Sequence, residues 1–237
     1  MVETYQDFLK RISSFEVPYT YYGENYIHMN PNLSDKVEGD NSFKPFFGDT
    51  IVFDLKQESK DRLHEIVNSL YETVPECFAE RLKSHTFHMT LHDLSNSPWI
   101  HEIAQDVFFN ELNVLERKNR IVKNQKIRMK TRYIFNMVSN SLVLGLYPSD
   151  EEEYHKLMGL YYLFHEVKEL NYPLTPHITL GYYNVHGFSA DSARKLEKLI
   201  GDWNQVIEDM ELEINTADLY YQKFVNMNHY VDVIRLG

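Results

Sequence analysis

The chain has 237 residues, a formal charge of −11 at pH 7 and 43% hydrophobic residues, which are the proportions of a globular protein and exclude a disordered one. No stretch approaches the roughly 20 apolar residues that span a bilayer, and the start has no apolar run typical of a signal peptide. Cys77 is the only cysteine, which excludes an intrachain disulfide and a thiolate metal cluster. We therefore expect a cytoplasmic protein without membrane contact, whose acidic charge disfavours long duplex nucleic acid as a partner.

Hydrophobic spacing predicts an alternation of strands and helices along the chain. After a short first helix, the segment up to residue 49 is rich in glycine and proline and favours ordered loops. The predicted helices cover residues 3–12, 58–74, 97–118, 149–170 and 189–206. The predicted strands cover residues 50–55, 84–94, 125–138, 141–148 and 174–183, followed by C-terminal strands interrupted near 217 and 226–228. Serines at 97 and 149 are expected to cap the third and fourth helices, with Pro98 in the first turn of the third.

The order strand, helix, strand, helix, strand occurs twice, and each copy contains a histidine and a threonine separated by one apolar residue. The first phrase is "FHMTLHD" and the second is "PHITLGY". Ile51 lies 37 residues before His88, and Leu142 lies 35 residues before His177. The matched spacing predicts a duplicated unit, with two half-sheets that are each backed by helices.

Side chains alternate between the two faces of a strand, which predicts where the repeated phrases point. The apolar residues beside each phrase should pack on the helices. His88 and Thr90 then share the open face of one half, and His177 and Thr179 share that of the other. If the halves face each other, two imidazoles and two hydroxyls converge in one cleft.

One strongly basic segment stands out in this acidic chain, because residues 117–132 carry eight basic side chains and no acidic one. One interpretation is an ordinary solvated strand or loop. In the other, alternation packs the apolar residues of 125–133 on helices and turns the basic residues into the cleft, where they would bind substrate: Lys126, Arg128, Lys130 and Arg132. A β-bulge would undo this register.

A cleft of this composition suits the cleavage of a phosphodiester. The reaction needs one group to deprotonate the attacking oxygen and another to protonate the leaving oxygen. A pair of histidines can hold one neutral and one protonated member near neutral pH. Threonine hydroxyls and a cation could hold the non-bridging oxygens, so the chemistry needs no metal or other cofactor.

The two phrases in equivalent places of a tandem repeat resemble the two-histidine (2H) phosphoesterase superfamily, which includes LigT-like RNA 2′-5′ ligases and 2′,3′-cyclic nucleotide phosphodiesterases. The resemblance covers roughly residues 45–237. It implies an α+β fold in one bilobal domain, with two mainly antiparallel sheets facing a central cleft and helices outside. The boundaries would be an N-terminal extension 1–49, a first lobe 50–138 and a second lobe 139–237. The segment "KPFFGDTIVFDL" is also similar to the entry strand of a bacterial LigT-like branch.

Carried over residue by residue, the resemblance implies that His88, Thr90, His177 and Thr179 are catalytic. Aromatic residues follow the second motif in relatives, so Tyr182 and Tyr183 are candidates for substrate binding. The expected reaction is metal-independent hydrolysis of a 2′,3′-cyclic phosphate or a 2′-5′ phosphodiester in a nucleotide or short RNA end.

Other interpretations stay open at this level. The same site could cleave a cyclic di- or oligonucleotide, ligate RNA 2′-5′, or serve as a non-catalytic nucleotide-binding module. A metal site built from His85, His88 and His92 is disfavoured, because strand alternation separates His85 from the other two. Four tyrosines could form a stacking lid or only pack a loop: Tyr19, Tyr21, Tyr22 and Tyr26.

Overall fold

A computed structural model describes residues 3–15, 26–208 and 210–237. The helices are α1 (Tyr5–Ser13), α2 (Gln57–Thr73), α3 (Ile100–Lys118), α4 (Glu151–His165) and α5 (Ala190–Ile207). The strands are β1 (Tyr26–Ile27), β2 (Phe47–Asp54), β3 (His88–Ser97), β4 (Lys126–Met137), β5 (Ser141–Pro148), β6 (His177–Tyr182), β7 (Phe188–Ser189), β8 (Glu211–Asn215), β9 (Leu219–Asn226) and β10 (His229–Arg235). The α+β fold class expected from the sequence is therefore confirmed.

Two four-stranded antiparallel sheets form the body of the protein. Their strand orders are β10-β9-β2-β3 and β6-β5-β4-β8. The strands that carry the repeated phrases, β3 and β6, are thus the edge strands of their sheets. These two edges lie against each other without forming a β-ladder. The topology thereby brings residues 88–90 and 177–179 together although they are distant in sequence.

The sheets do not divide the chain at residue 138. Strand β4 belongs by sequence to the first copy of the repeat but lies inside the second sheet, between β5 and β8. Strands β9 and β10 come from the end of the chain and complete the first sheet. Each sheet is therefore built from both halves of the sequence.

The helices also cross between the two halves. Helix α3 packs on β2 and β3, and α5 packs on β4. Helix α2, however, contacts α5 and β6, and α4 contacts β3 as well as β4 and β5. Both sheets are backed by helices, and helices of one half of the sequence also contact strands of the other half. One continuous hydrophobic core includes residues of both sheets and of the N-terminal segment, such as Phe8 and Leu33.

Two predicted helix starts are displaced. Strand β3 continues to Ser97, so that Pro98 precedes α3, and the Ser97 hydroxyl instead accepts a hydrogen bond from the Trp99 N–H at 3.0 Å. The cap of α4 is Asp150, whose carboxylate accepts from the Glu153 N–H, and not Ser149. In both places several polar residues are adjacent in sequence, and the sequence pattern alone does not show which of them caps the helix. Among the residues that the structure describes, no helix is long and apolar enough to span a membrane.

Strand β3 contains an irregularity that matters for the site. Its partner β2 pairs Val52 with Thr90 and Ile51 with His92, so that one extra residue, Leu91, is accommodated in β3. A bulge of this kind reverses the face on which the following residues lie. Beyond it, Asp93 pairs with Thr50, and Asp93 points to the face that strict alternation would have given to His92.

Candidate active site

A cleft of about 210 Å³ lies where the two sheet edges meet. Both repeated phrases contribute to it, because His88 and Thr90 from β3 and His177 and Thr179 from β6 line it together. Strand alternation holds at all four positions, since the neighbouring Met89 and Ile178 are fully buried in the core. The remaining walls come from the N-terminal segment, the turn between β4 and β5, and strands β9 and β10.

Each cleft histidine is tied to the backbone two residues before it. His177 Nδ1 lies 2.7 Å from the carbonyl oxygen of Thr175, and the His88 imidazole is hydrogen-bonded to the backbone of Thr86. A carbonyl oxygen only accepts hydrogen bonds, so Nδ1 of His177 carries a proton. Its Nε2 is then the nitrogen that can take up or release a proton in the cleft. The two halves thus orient their histidines by the same backbone contact.

Burial lowers the pKa of both histidines. The pKa of His88 is lowered to about 4, mainly by desolvation and to a smaller extent by the nearby His177. Desolvation also lowers the pKa of His177, and Lys36 acts in the same direction. The backbone contacts and the carboxylate of Asp93 oppose these shifts at both residues. At neutral pH the free protein therefore holds both imidazoles neutral, ready to accept a proton.

Asp93 is a cleft residue that the strand pattern missed. The bulge at Leu91 turns its carboxylate into the cavity that His88 and His177 line, and the Tyr172 hydroxyl donates a hydrogen bond to it at 3.1 Å. A carboxylate beside two imidazoles favours their protonated forms. In the sequence Asp93 is marked only by its position five residues after His88. That spacing points to the cleft only when the bulge at Leu91 is taken into account.

His92 occupies the place opposite to that expected from alternation. It is buried on the far side of β3, where its ring packs against Tyr161 and its Nε2 lies 3.5 Å from His165 Nδ1. His85 lies exposed in a short 3₁₀ turn before β3. The three histidines of this segment therefore do not converge. Within residues 3–15, 26–208 and 210–237, no group of three or more histidine, cysteine, aspartate or glutamate side chains is placed to hold a metal ion.

A cation reaches the cleft from the N-terminal segment, where the sequence pattern indicated only loops. Lys36 lines the cavity, with its ammonium nitrogen 5.0 Å from the centre of the Phe46 ring and 5.6 Å from that of Tyr182. Its backbone ends a 3₁₀ turn, Pro31–Asp35, between the buried side chains of Leu33 and Val37. The extension therefore forms a wall of the cleft.

The C-terminal strands supply a further wall. The Tyr230 ring on β10 makes an edge contact with the imidazole of His88 at 5.0 Å between centroids, and Phe224 on β9 packs against Tyr230. Burial raises the pKa of Tyr230 well above its usual value, so its hydroxyl is neutral. These residues reach the site because β9, from the end of the chain, pairs with β2 and carries β10 on its other side, an arrangement that no local sequence pattern indicates.

The turn between β4 and β5 closes the cleft on the side of the second sheet. Val138 and Asn140 line the cavity, and Val138 and Ser139 both have positive φ angles, 45° and 58°. This conformation is rare for a β-branched residue and is held here by tertiary contacts. The N-terminal segment supplies two of them, because the Asn30 backbone N–H donates to the Ser139 carbonyl and the Asn30 side chain to that of Val138.

The basic strand does not line the cleft, which corrects the expectation for Lys126, Arg128, Lys130 and Arg132. The alternation itself holds, since Ile127 and Met129 are buried, but the basic face lies beyond the end of β6, and two of its side chains, Lys126 and Arg128, form salt bridges there. Strand β8 pairs Arg128 with Glu213 and Lys130 with Glu211. The salt bridges are Lys126–Glu213 at 3.2 Å, Arg128–Asp150 at 2.9 Å and Arg128–Glu153 at 3.1 Å. Arg132 lies over the rings of Tyr133 and Tyr147.

The two tyrosines after the second phrase separate, as alternation requires. Tyr182 lines the cleft, whereas Tyr183 is fully buried between Phe78 and Phe188 and cannot contact a substrate. The suggested tyrosine lid falls mostly outside the described residues, which omit positions 16–25. Of its members only Tyr26 is described, on β1, where its hydroxyl donates to the carbonyl oxygen of His186.

Comparison with known proteins shows the fold. No family model matches the sequence, and no curated protein matches it. Among solved structures, the protein ATU0111 of Agrobacterium tumefaciens, described as of unknown function, gives a TM-score of 0.67 at 14% identity, over 89% of this chain and 94% of that one. TT0787 of Thermus thermophilus gives 0.50 at 13% identity, over 79% and 95%. Escherichia coli LigT in its apo form gives 0.49 at 14% identity, over 81% and 96%. ATU0111 and this chain share their fold over almost their full lengths.

Proposed function

We propose that this protein is a metal-independent phosphodiesterase of the 2H type that hydrolyses a 2′,3′-cyclic phosphate or a 2′-5′ phosphodiester in a nucleotide or short RNA end. One observation carries the proposal. The cleft contains two imidazoles, His88 and His177, from equivalent strands, and each is oriented by a backbone contact two residues before it. A matched pair of oriented imidazoles can supply both the base and the acid that catalyse phosphate ester hydrolysis.

In the proposed reaction, a neutral imidazole removes a proton from water as the water oxygen attacks phosphorus. The bond between phosphorus and one ribose oxygen breaks, and the second imidazole, in its protonated form, donates its proton to that oxygen. A cyclic phosphate thereby opens to a nucleoside monophosphate. Thr90 and Thr179 line the cleft together with the two histidines, and in this mechanism their hydroxyls donate hydrogen bonds to the non-bridging phosphate oxygens.

The electrostatics of the free site support the roles of one imidazole as base and the other as acid. Both imidazoles are neutral at neutral pH, so one base is always ready. The second imidazole must gain a proton, and a bound phosphate anion raises the pKa of nearby histidines. The carboxylate of Asp93 acts in the same direction. Substrate binding would therefore create the singly protonated pair that the reaction needs.

The first test is a hydrolysis screen in excess EDTA with 2′,3′-cyclic mononucleotides, 2′-5′ linked oligoadenylates and cyclic dinucleotides. The proposal predicts turnover of the first or second class, and loss of that turnover in both His88→Ala and His177→Ala. Turnover of cyclic dinucleotides alone would reassign the substrate to that class.

Two further outcomes would contradict the proposal. Tight binding of a nucleotide without any turnover would identify a binding module on this fold. Hydrolysis that disappears on chelation and returns with added divalent metal would show that the reaction depends on a metal.

A further inference from the structure

The sequence pattern predicts that the cations of the cleft lie on β4, but the structure places the basic face of β4 outside the cleft. Of the described lysine and arginine side chains, Lys36 alone lines the cavity that contains His88 and His177. It belongs to the N-terminal segment, outside the stretch from about residue 45 that resembles the 2H superfamily. The source of positive charge in this cleft is therefore specific to the extension.

The ammonium group of Lys36 is held by rings and not by carboxylates. Its nearest aromatic neighbours are Phe46 and Tyr182, and no salt bridge joins it to an acidic side chain of the described chain. The comparison with Lys44, eight residues later, is direct: Lys44 donates to the carbonyl oxygen of Ser34 at 2.8 Å and lies 3.6 Å from Glu38. Lys36 therefore lines the cavity without a salt bridge to a carboxylate of the described chain, whereas Lys44 is paired with Glu38 in its own loop.

The backbone around Lys36 is fixed before any ligand binds. Its N–H donates to the Leu33 carbonyl, and its own carbonyl accepts from the Lys44 N–H at 2.9 Å. The buried side chains of Leu33 and Val37 anchor the turn on both sides. A preorganised cation among aromatic rings loses little conformational entropy when an anion binds, and the apolar surroundings strengthen its attraction for that anion.

We propose that Lys36 is the phosphate-binding residue of this cleft, and that the N-terminal segment contributes it to the active site by holding it against the Phe46 and Tyr182 rings. The ammonium group binds the non-bridging oxygens of a phosphate that lies between His88 and His177. This assignment rests on the proposed function for its catalytic meaning. Under this assignment Tyr182 positions Lys36, and the contact between these two side chains can persist while a nucleotide is bound.

The test compares wild-type protein with Lys36→Met, Lys36→Arg and a matched control, Lys126→Met. Met keeps an unbranched stem over the rings but removes the charge, and Arg keeps the charge. Lys126 is an exposed lysine of β4, paired with Glu213 and outside the cleft, so its removal changes net charge equally. Inorganic phosphate is the probe, titrated while the imidazole signals of His88 and His177 are followed by NMR, with circular dichroism to verify that each variant is folded.

We expect Lys36→Met to weaken phosphate binding by at least about tenfold, Lys36→Arg to retain most of it, and Lys126→Met to match wild type. Without phosphate, Lys36→Met should also raise the pKa of His177, because Lys36 lowers it in the wild-type protein. Equal phosphate affinity in Lys36→Met and wild type, an equal loss in Lys126→Met, or no phosphate binding to wild type would each overturn the assignment.

The result is independent of the hydrolysis screen. If no substrate turns over but phosphate binding depends on Lys36, the assignment stands and the catalytic proposal fails. If a substrate turns over and Lys36→Met neither weakens phosphate binding nor raises KM or lowers kcat, the catalytic proposal stands and the assignment fails.

Discussion

At the scale of single residues, three kinds of titratable group line the cleft: the two imidazoles, the carboxyl group of Asp93 and the amino group of Lys36. Desolvation lowers the pKa of His88 to about 4 and also lowers that of His177. Asp93 opposes these shifts and Lys36 reinforces the shift at His177. The protonation states of the two histidines are therefore set by a balance of burial, one carboxylate and one ammonium group.

The pH dependence of kcat/KM follows from this balance. In the proposed mechanism the reactive form has one protonated and one neutral histidine, and both pKa values lie below 6.5 in the free protein. As pH rises above the higher value the acid is lost, and as pH falls toward about 4 the base is lost. A pH–rate profile of wild type should therefore have its kcat/KM maximum below pH 6.5. A maximum in the alkaline range would contradict the account.

Asp93→Asn tests the carboxylate placed by the bulge. Removing its negative charge takes away a contribution that raises both histidine pKa values, so the kcat/KM profile should shift to lower pH and activity at neutral pH should fall several-fold. Asp93→Glu should recover part of the shift. The matched control is Tyr172→Phe, which removes the hydrogen bond to Asp93 but keeps its charge, and whose profile should move less than that of Asp93→Asn. An unchanged profile in Asp93→Asn would exclude an electrostatic role.

At the scale of elements, the strands carry the site because their edges meet. The positions of His88, Thr90, His177 and Thr179 could be predicted, because alternation along a strand is a local property of sequence. Asp93 could not, because the bulge at Leu91 depends on pairing with β2. Lys36 could not either, because a loop segment has no periodicity to indicate its direction. The prediction that the basic face of β4 lines the cleft was wrong, because strand β8, whose glutamates lie opposite that face, comes much later in the chain.

A pair of glycine substitutions tests the irregular pairing of β2 and β3. A Cβ added at Gly48 would clash with the Ser95 carbonyl oxygen and with the Phe224 ring, which lines the cleft. Gly48→Ala should therefore destabilise the fold by about 1–3 kcal/mol and displace Phe224.

Gly159→Ala is the control for this substitution. Gly159 lies in α4, and a Cβ added there would meet no atom within 4 Å, so alanine should stabilise the helix by roughly 0.5–1 kcal/mol. Urea unfolding of both variants measures the two effects. Equal stabilities of Gly48→Ala and wild type would show that the strands can separate at this point without cost.

At the scale of the whole molecule, the exchange of strands makes the two sheets interdependent. A fragment covering residues 50–138 lacks β9 and β10, and it leaves β4 without either neighbour in its sheet. A fragment covering 139–237 lacks β4, the central partner of both β5 and β8. The repeat visible in sequence therefore does not correspond to two sheets that could assemble separately.

Cooperative unfolding of the whole chain is the expected consequence. Trp99 lies at the start of α3, beside the first sheet, and Trp203 lies in α5, which packs on the second. Trp99→Phe and Trp203→Phe leave one reporter each, and both proteins should show the same unfolding midpoint in urea by fluorescence and circular dichroism. Two separate midpoints within one variant, or a folded 50–138 fragment, would show that the halves are independent.

The measurement that tests the central claim most directly is a double-mutant cycle on kcat/KM for 2′,3′-cyclic AMP, with His88→Ala, His177→Ala and the double variant, and with exposed His85→Ala as control. If the two histidines act as one acid–base pair, each single variant should lose about 10²-fold or more, and the double variant should lose little beyond the larger single loss. The His85→Ala protein should keep wild-type activity. Wild-type turnover in either single variant, or single losses that multiply in the double variant, would contradict the paired mechanism.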